Sequence, residues 1–140
     1  MSGKIIMIGS MKGGVSKTVT TFNLAYSLSK LGKKVLAVDF DSQANLSTCL
    51  GVEDVATVPV TIGNLMLAQI EEEELPKRSE YIQTRNGIDF ISSSMVAVAF
   101  KLGLTFLICC LDSCLDFLNS SGIRLRNDEG DTVLRCSTID

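Results

Sequence analysis

The chain has 140 residues, of which 46% are hydrophobic and 21% are charged, and these values suit one globular α/β domain with a core of its own. The net charge of −3 is spread unevenly, because residues 1–38 contain six lysines and no acid, whereas residues 39–140 contain all 16 acids. A basic N-terminal segment favours an anionic ligand such as a nucleotide, with solvated surface lysines as the alternative.

The cysteines argue against a zinc site or a disulfide framework. There are five of them, an odd number, and the chain contains no CxxC pair and no histidine. We interpret them as reduced thiols of a cytoplasmic protein that mostly fill the core. Residues 1–9 contain a short apolar run without signal-peptide architecture.

The first 40 residues predict a βαβ unit with a right-handed crossover. A short apolar run indicates a buried parallel strand, a glycine loop follows it, and a helical pattern then leads to a second apolar strand that ends at Asp39. These segments are a strand at 4–9, a loop at 10–16, a helix from Lys17 to a stop at Gly32, and a strand at 35–38. The apolar helix positions are Phe22, Ala25, Leu28 and Leu31.

The middle of the chain is less regular. Thr61 is a candidate cap for a helix that carries Ile62, Leu65, Met66 and Ile70 on one face. Residues 76–87 are polar and predict a loop, and residues 88–91 predict a strand after a turn at Gly87.

The segment Met95–Leu111 is almost wholly apolar and is interrupted by Lys101. A run of 17 residues with a charge near its middle is at the short limit for crossing a bilayer. A buried helix or strand pair is the preferred interpretation, and a membrane segment or a poorly folded tail are the alternatives.

The loop between the two predicted strands has the composition of a phosphate-binding loop. It runs from Met11 to Thr18 and opens a helix, which is the context that such a motif requires. Glycines allow the backbone N–H groups to approach phosphate oxygens, and the helix N-terminus adds a positive dipole end. We expect Lys17 to reach the β- and γ-phosphates and the Thr18 hydroxyl to contact magnesium.

Two acids follow the second strand at its carboxyl end, where ligands bind in open α/β sheets. Asp39 and Asp41 are two residues apart, so on an extended segment both point the same way. We expect one carboxylate to hold the water shell of magnesium and the other to position the attacking water. Solvated acids at an ordinary strand end are the alternative.

Residues 12–18, Lys-Gly-Gly-Val-Ser-Lys-Thr, resemble the "deviant" Walker A motif KGGVGKT of the ParA/MinD group of P-loop ATPases, and residues 39–45 resemble its D-x-D-P-Q-x-N motif. The resemblance implies a P-loop NTPase-type α/β fold, a parallel sheet flanked by helices, with ATP and Mg²⁺ as cofactors. It implies catalytic roles for Lys12 and Asp41 and metal roles for Thr18 and Asp39. The implied nucleotide-binding residues are Lys12, Gly13, Gly14, Val15, Ser16, Lys17, Thr18 and Val19.

The chain departs from the family pattern at three positions. Ser16 replaces a glycine, which predicts about 1 kcal/mol of backbone strain or a steric block at the phosphates. Val19 lacks the hydroxyl that is usual there, and Ser42 replaces the proline of the second motif.

The resemblance covers residues 2–94, closest to the ParA/Soj branch, so we assign residues 1–94 to the N-terminal part of a nucleotide-binding domain. The tail, residues 95–140, matches nothing in the family, and a truncated or frame-shifted gene product is one hypothesis for it. Asp112, after the apolar run 107–111, is a weak candidate for the Walker B acid. An incomplete sheet would leave hydrophobic strand edges open.

The family resemblance implies a Mg-ATP-driven dimer switch for chromosome or plasmid partitioning, with a ParB-like stimulating partner and non-specific DNA. A MinD-like membrane-associated regulator is an alternative, disfavoured because residues 120–140 have no wide apolar face. A non-catalytic remnant is the third candidate, favoured by Ser16, so ATPase activity of this chain is left open.

Overall fold

The computed structural model describes residues 4–10, 14, 16–93 and 132–138. The helices and strands in these ranges alternate in the manner of an α/β domain. The strands are β1 Lys4–Ser10, β2 Val35–Asp39, β3 Gln83–Arg85, β4 Ile88–Ile91 and β5 Thr132–Thr138. The helices are α1 Lys17–Lys30, α2 Asn45–Cys49, α3 Ile62–Ile70 and α4 Arg78–Tyr81, with a 3₁₀ turn at Val55–Thr57.

The five strands form one sheet in the order β1-β5-β2-β4-β3. Four strands are parallel to one another: β1, β5, β2 and β4. The fifth strand, β3, runs antiparallel to β4. The predicted α/β fold with a parallel sheet flanked by helices is therefore confirmed. The antiparallel strand β3 makes the sheet a mixed one.

The strand between β1 and β2 comes from the tail, in which the sequence predicted no element of the domain. All seven residues of β5 pair with β1, and Thr132–Cys136 also pair with Val35–Asp39. The two strands of the predicted βαβ unit are therefore not adjacent, because β5 occupies the position between them. The run Met95–Leu111 and Asp112 lie outside the described residues. Of the helices that are described, none is long and apolar enough to span a membrane.

The core is divided by the sheet into two clusters, which explains why its central strands read as continuous apolar runs. Alternate residues of β2 face opposite sides, so Val35 and Ala37 belong to one cluster and Leu36 and Val38 to the other. The first cluster is completed by Ala25 of α1, Leu46 and Leu50 around α2, Val52, Ile88 and Phe90. The second is completed by Ile62, Leu65 and Met66 of α3, Tyr81 and Ile91.

Helix α1 confirms the predicted helix with one correction to its apolar face. Ala25 is fully buried, and Phe22 and Leu28 pack against the first cluster. Leu31 was predicted to belong to the same face, but it follows the last helical residue and is 74% exposed. Gly32 ends the turn with φ +73°, which glycine adopts without the steric cost of a side chain.

Helix α3 begins as the sequence predicts. Asn64 Oδ1 accepts hydrogen bonds from the Thr61 N–H over 2.9 Å and from the Thr61 hydroxyl over 2.7 Å. This fixes the entry into the helix, since an N–H at a helix start otherwise has no intrahelical partner.

Three apolar or thiol side chains are more exposed than a core role allows. At β1, which is one edge of the described sheet, Ile5 and Met7 are largely exposed. Cys49 is a free and exposed thiol at the end of α2, so its interpretation as core filler is wrong.

Residues 76–87 do not form the predicted loop, because α4, β3 and the start of a hairpin lie within them. β3 and β4 pair from Gln83↔Phe90 to Arg85↔Ile88 and are joined by Asn86 and Gly87. Both of these residues have positive φ, +53° and +75°, as a two-residue hairpin turn of the primed type requires.

Replacing Gly87 by alanine is expected to lower the free energy of unfolding by about 1–2 kcal/mol, because a side chain at positive φ is strained. A Cβ at this position would also lie 2.9 Å from Ser29 Oγ, the hydroxyl that donates to the Gly87 carbonyl over 3.0 Å. Urea unfolding measures the change. The double variant Ser29→Ala/Gly87→Ala should recover only the part of the lost free energy of unfolding that is due to the contact with the Ser29 hydroxyl. Unchanged stability in Gly87→Ala would contradict the turn geometry.

Candidate functional site

The connection from β1 to α1 contains two described residues with left-handed backbone. β1 ends at Ser10, α1 begins at Lys17, and within this connection Gly14 has φ +71° and Ser16 has φ +59°. A Cβ built at Gly14 meets no atom of the described residues within 4 Å. Lys12, Gly13 and Val15 lie outside the described residues, so their predicted roles stay predictions.

The start of α1 suits an anion. Lys17 is its first residue and is only 9% exposed, Thr18 is half-buried and Val19 is exposed. The first turn contains no acid, and the Ser16 side chain makes no capping hydrogen bond. The positive end of the helix dipole is thus not offset by an acidic side chain of its own first turn.

Ser16 is in the left-handed region, with φ +59° and ψ 22°, as the glycine of the family motif would allow. Non-glycine residues are strained there by about 1 kcal/mol or more. This is the backbone strain, one of the two costs that the sequence analysis predicts for the serine.

We expect Ser16→Gly to raise the free energy of unfolding by about 1 kcal/mol because it relieves this strain. Glu72→Gly is the matched control, since Glu72 also has positive φ, +56°, and is exposed as Ser16 is. Both variants should be more stable in urea unfolding, but only Ser16→Gly should also bind ATP more tightly. Equal ATP affinities in the two variants and the wild type would show that Ser16 does not limit binding.

The acids after β2 are buried. Asp39 is 1% exposed and Asp41 is 5% exposed. Asp39 accepts three hydrogen bonds, from the Asp41 N–H to Oδ1 over 3.1 Å and from the Ser47 N–H and hydroxyl to Oδ2 over 2.8 and 2.7 Å. Asp41 Oδ1 accepts the Gln43 N–H over 2.9 Å. The alternative of solvated strand-end acids is therefore wrong.

Burial raises the pKa of Asp39 from 3.8 to about 6. Desolvation is the main cause, and the nearby Asp41 charge adds to it, whereas the hydrogen bonds from Ser47 and from the Asp41 backbone lower the pKa. A carboxylate that is costly to ionise in this state gains from a nearby cation. This property suits a residue beside Mg²⁺.

The start of α1 and the acids lie at the same end of the sheet, where the parallel strands finish. In the register of the sheet, Asp39 pairs with Cys136 of β5. Cys136 in turn pairs with Ile8 of β1, which lies two residues before the end of that strand. Because β5 lies between them, β1 and β2 are two strand spacings apart, roughly 10 Å. Lys17 and the two acids therefore lie on the same side of the domain, at the carboxyl ends of the parallel strands. These residues fit a magnesium-bound polyphosphate.

Two residues of this region are absent from the sequence predictions. Ser47 is fully buried and contacts Asp39, and its hydroxyl also accepts the Ser93 N–H over 3.1 Å. Neither serine belongs to a pattern that periodicity or spacing would detect, because Asp39, Ser47 and Ser93 are brought together by the tertiary fold alone.

The geometry agrees with three comparisons to known proteins. A family model described as an AAA domain matches residues 3–109. The sporulation initiation inhibitor protein Soj of Bacillus subtilis is 53% identical over 51 residues, 36% of this chain and 20% of that protein. The chromosome partitioning protein ParA of Myxococcus xanthus is 39% identical over 83 residues, 58% of this chain and 29% of that protein.

Among solved structures, the septum site-determining protein MinD of Pyrococcus horikoshii, complexed with Mg-ADP, superposes with a TM-score of 0.67 at 27% identity. The superposition covers 99% of this chain and 50% of the MinD chain. The matches with the two curated relatives thus cover a third or less of each relative, and this chain spans about half of the solved MinD chain.

Proposed function

Because the chain belongs to the AAA domain family and, within it, to the ParA/Soj/MinD group of P-loop ATPases, we propose that it is a Mg-ATP-driven dimer switch. The observation that carries the proposal is that Lys17, at the start of α1, lies with Asp39 and Asp41 at the carboxyl end of the parallel strands. The solved MinD structure of Pyrococcus horikoshii, on which this chain superposes, is a complex with Mg-ADP, and this supports a nucleotide as the ligand.

The proposed role of each residue follows from the chemistry of its side chain or backbone. Residues 12–19 surround the phosphates, with Lys17 on the β- and γ-phosphates and Thr18 supplying a hydroxyl to the metal. Asp39 holds the water shell of the metal, and Asp41 orients the water that attacks the γ-phosphate. Magnesium, when bound, neutralises charge on the phosphate oxygens. Lys12 contacts the nucleotide of a second copy of the chain.

In the cell this switch would serve chromosome or plasmid partitioning, with a stimulating partner and non-specific DNA. Support comes from the names of the relatives, the sporulation initiation inhibitor protein Soj and the chromosome partitioning protein ParA. A MinD-like membrane-associated regulator is the alternative. ATP-dependent binding of unrelated DNA sequences, weakened steeply by salt, tests the partitioning role. Flotation with liposomes in place of DNA binding would favour the MinD-like variant.

Sedimentation velocity with ATP, ADP or no nucleotide tests the switch itself. We expect dimers only with Mg-ATP. Asp41→Ala should lengthen the lifetime of the ATP-bound dimer because this variant hydrolyses ATP more slowly. Glu53→Ala, which removes an exposed acid beyond α2, is the matched control and should behave as wild type.

A monomer under all three conditions would contradict the dimer switch. It would favour the second candidate, a remnant of such an ATPase that no longer switches. The strained backbone of Ser16 is the observation that supports this second candidate.

A further inference from the structure

Ser47 stands at the centre of a buried hydrogen-bond chain that joins three elements. It is the third residue of α2 and is fully buried. Its hydroxyl donates to Asp39 Oδ2 over 2.7 Å and accepts the Ser93 N–H over 3.1 Å. The end of β2, the start of α2 and the segment after β4 are therefore held by one hydroxyl group.

The contacts of Asp39 divide its two carboxylate oxygens unequally. Oδ2 accepts both the N–H and the hydroxyl of Ser47, whereas from the described part of the chain Oδ1 accepts the Asp41 N–H alone. A carboxylate oxygen offers about two acceptor sites, so the contacts among the described residues fill Oδ2 and leave one site on Oδ1. Asp39 can therefore accept a hydrogen bond from a metal-bound water at Oδ1 only.

We propose that Ser47 is a positioning residue that fills Oδ2 of Asp39 and thereby presents Oδ1 to the water shell of nucleotide-bound magnesium. Ser47 acts through Asp39 and touches neither nucleotide nor metal. The inference rests on the proposed function, because it concerns the Mg-ATP complex of the same site. It adds a residue to that site, since neither motif of the sequence analysis includes Ser47.

The hydroxyl of Ser47 has two duties, and this determines which replacements are informative. It must donate to Asp39 and accept from Ser93 at the same time, which serine and threonine can do and alanine cannot. Partners that orient a metal-binding group typically change metal affinity 10–100-fold when they are removed. Thr48 is a matched control, because its hydroxyl lies on the same helix but donates to the Ala44 carbonyl.

The experiment measures the ATP dissociation constant by calorimetry in EDTA and in saturating Mg²⁺ for wild type, Ser47→Ala, Ser47→Thr and Thr48→Ala. The quantity compared is the ratio of the two constants, which reports how much magnesium tightens binding. Ser47→Ala should reduce this ratio about tenfold and leave the EDTA value within twofold. Ser47→Thr and Thr48→Ala should keep the wild-type ratio.

Two results would overturn the proposal, and they are distinct. If Ser47→Ala weakens ATP equally in EDTA and Mg²⁺, or changes neither value, Ser47 has only a structural role. If neither the wild type nor Ser16→Gly binds ATP in either condition, the proposed function itself fails, and the role of Ser47 fails with it.

Discussion

Lys17→Ala is expected to weaken ATP binding by roughly 10- to 100-fold, the loss that follows from removing a charge-assisted contact worth about 1.5–3 kcal/mol. Lys17 is the first residue of α1 and is 9% exposed, so its side chain is largely withdrawn from solvent at the start of the helix. Calorimetry with Mg-ATP measures the change.

Lys33→Ala is the control for the loss of one positive charge. Lys33 is exposed and follows the opposite end of α1, a helix of 14 residues that spans about 21 Å. Its replacement should leave ATP affinity within twofold. Equal losses in the two variants would indicate a general charge effect, and the phosphate-binding role of Lys17 would then be wrong.

The second prediction concerns pH and Asp39, whose pKa is raised from 3.8 to about 6 in the folded chain. Between these pH values the folded state binds the proton more tightly than the unfolded state does. The stabilisation by the protonated carboxyl is therefore complete below about pH 4 and is lost as pH rises through about 6. A shift of this size corresponds to about 3 kcal/mol.

Urea unfolding at a series of pH values measures this contribution, and Asp39→Asn supplies the reference because its amide does not titrate. The free energy of unfolding of wild type relative to Asp39→Asn should fall between pH 4 and 6 and then stay level. Other carboxyl groups cancel in this difference. A difference that is flat, or that rises with pH, would contradict a buried Asp39 with a raised pKa.

The predictable parts of the fold are those whose signals are local. The β1–α1–β2 unit could be read from two apolar runs separated by a glycine loop, and α3 from Thr61 and its apolar face. The phosphate loop and the acid pair could be placed because both follow a strand directly. In each case the signal comes from residues that are close together in the sequence.

The missed parts depend on distant partners or on short polar segments. β3 has three residues, Gln-Thr-Arg, which carry no strand pattern. The dipeptide Asn86-Gly87 is a strong hairpin signal, and together with the predicted strand at residues 88–91 it indicates a partner strand at the position of β3. β5 alternates little in character, and it joins the sheet through pairing with strands about 100 residues earlier.

The sequence predicts the two motifs of the candidate site, but it does not predict the contacts among their residues. Spacing suggested that Asp39 and Asp41 act together, and it gave no reason to expect that Ser47 would occupy one oxygen of Asp39. It also could not show that β5 separates the loop strand from the acid strand. These are consequences of tertiary packing.

The most direct test of the account is a calorimetric titration of the wild-type chain with ATP in the presence of magnesium. We predict binding of about one ATP per chain that is weaker when EDTA replaces Mg²⁺, because Thr18 and Asp39 act through the metal. No binding of ATP with or without magnesium would contradict the central claim that this end of the sheet is a Mg-ATP site.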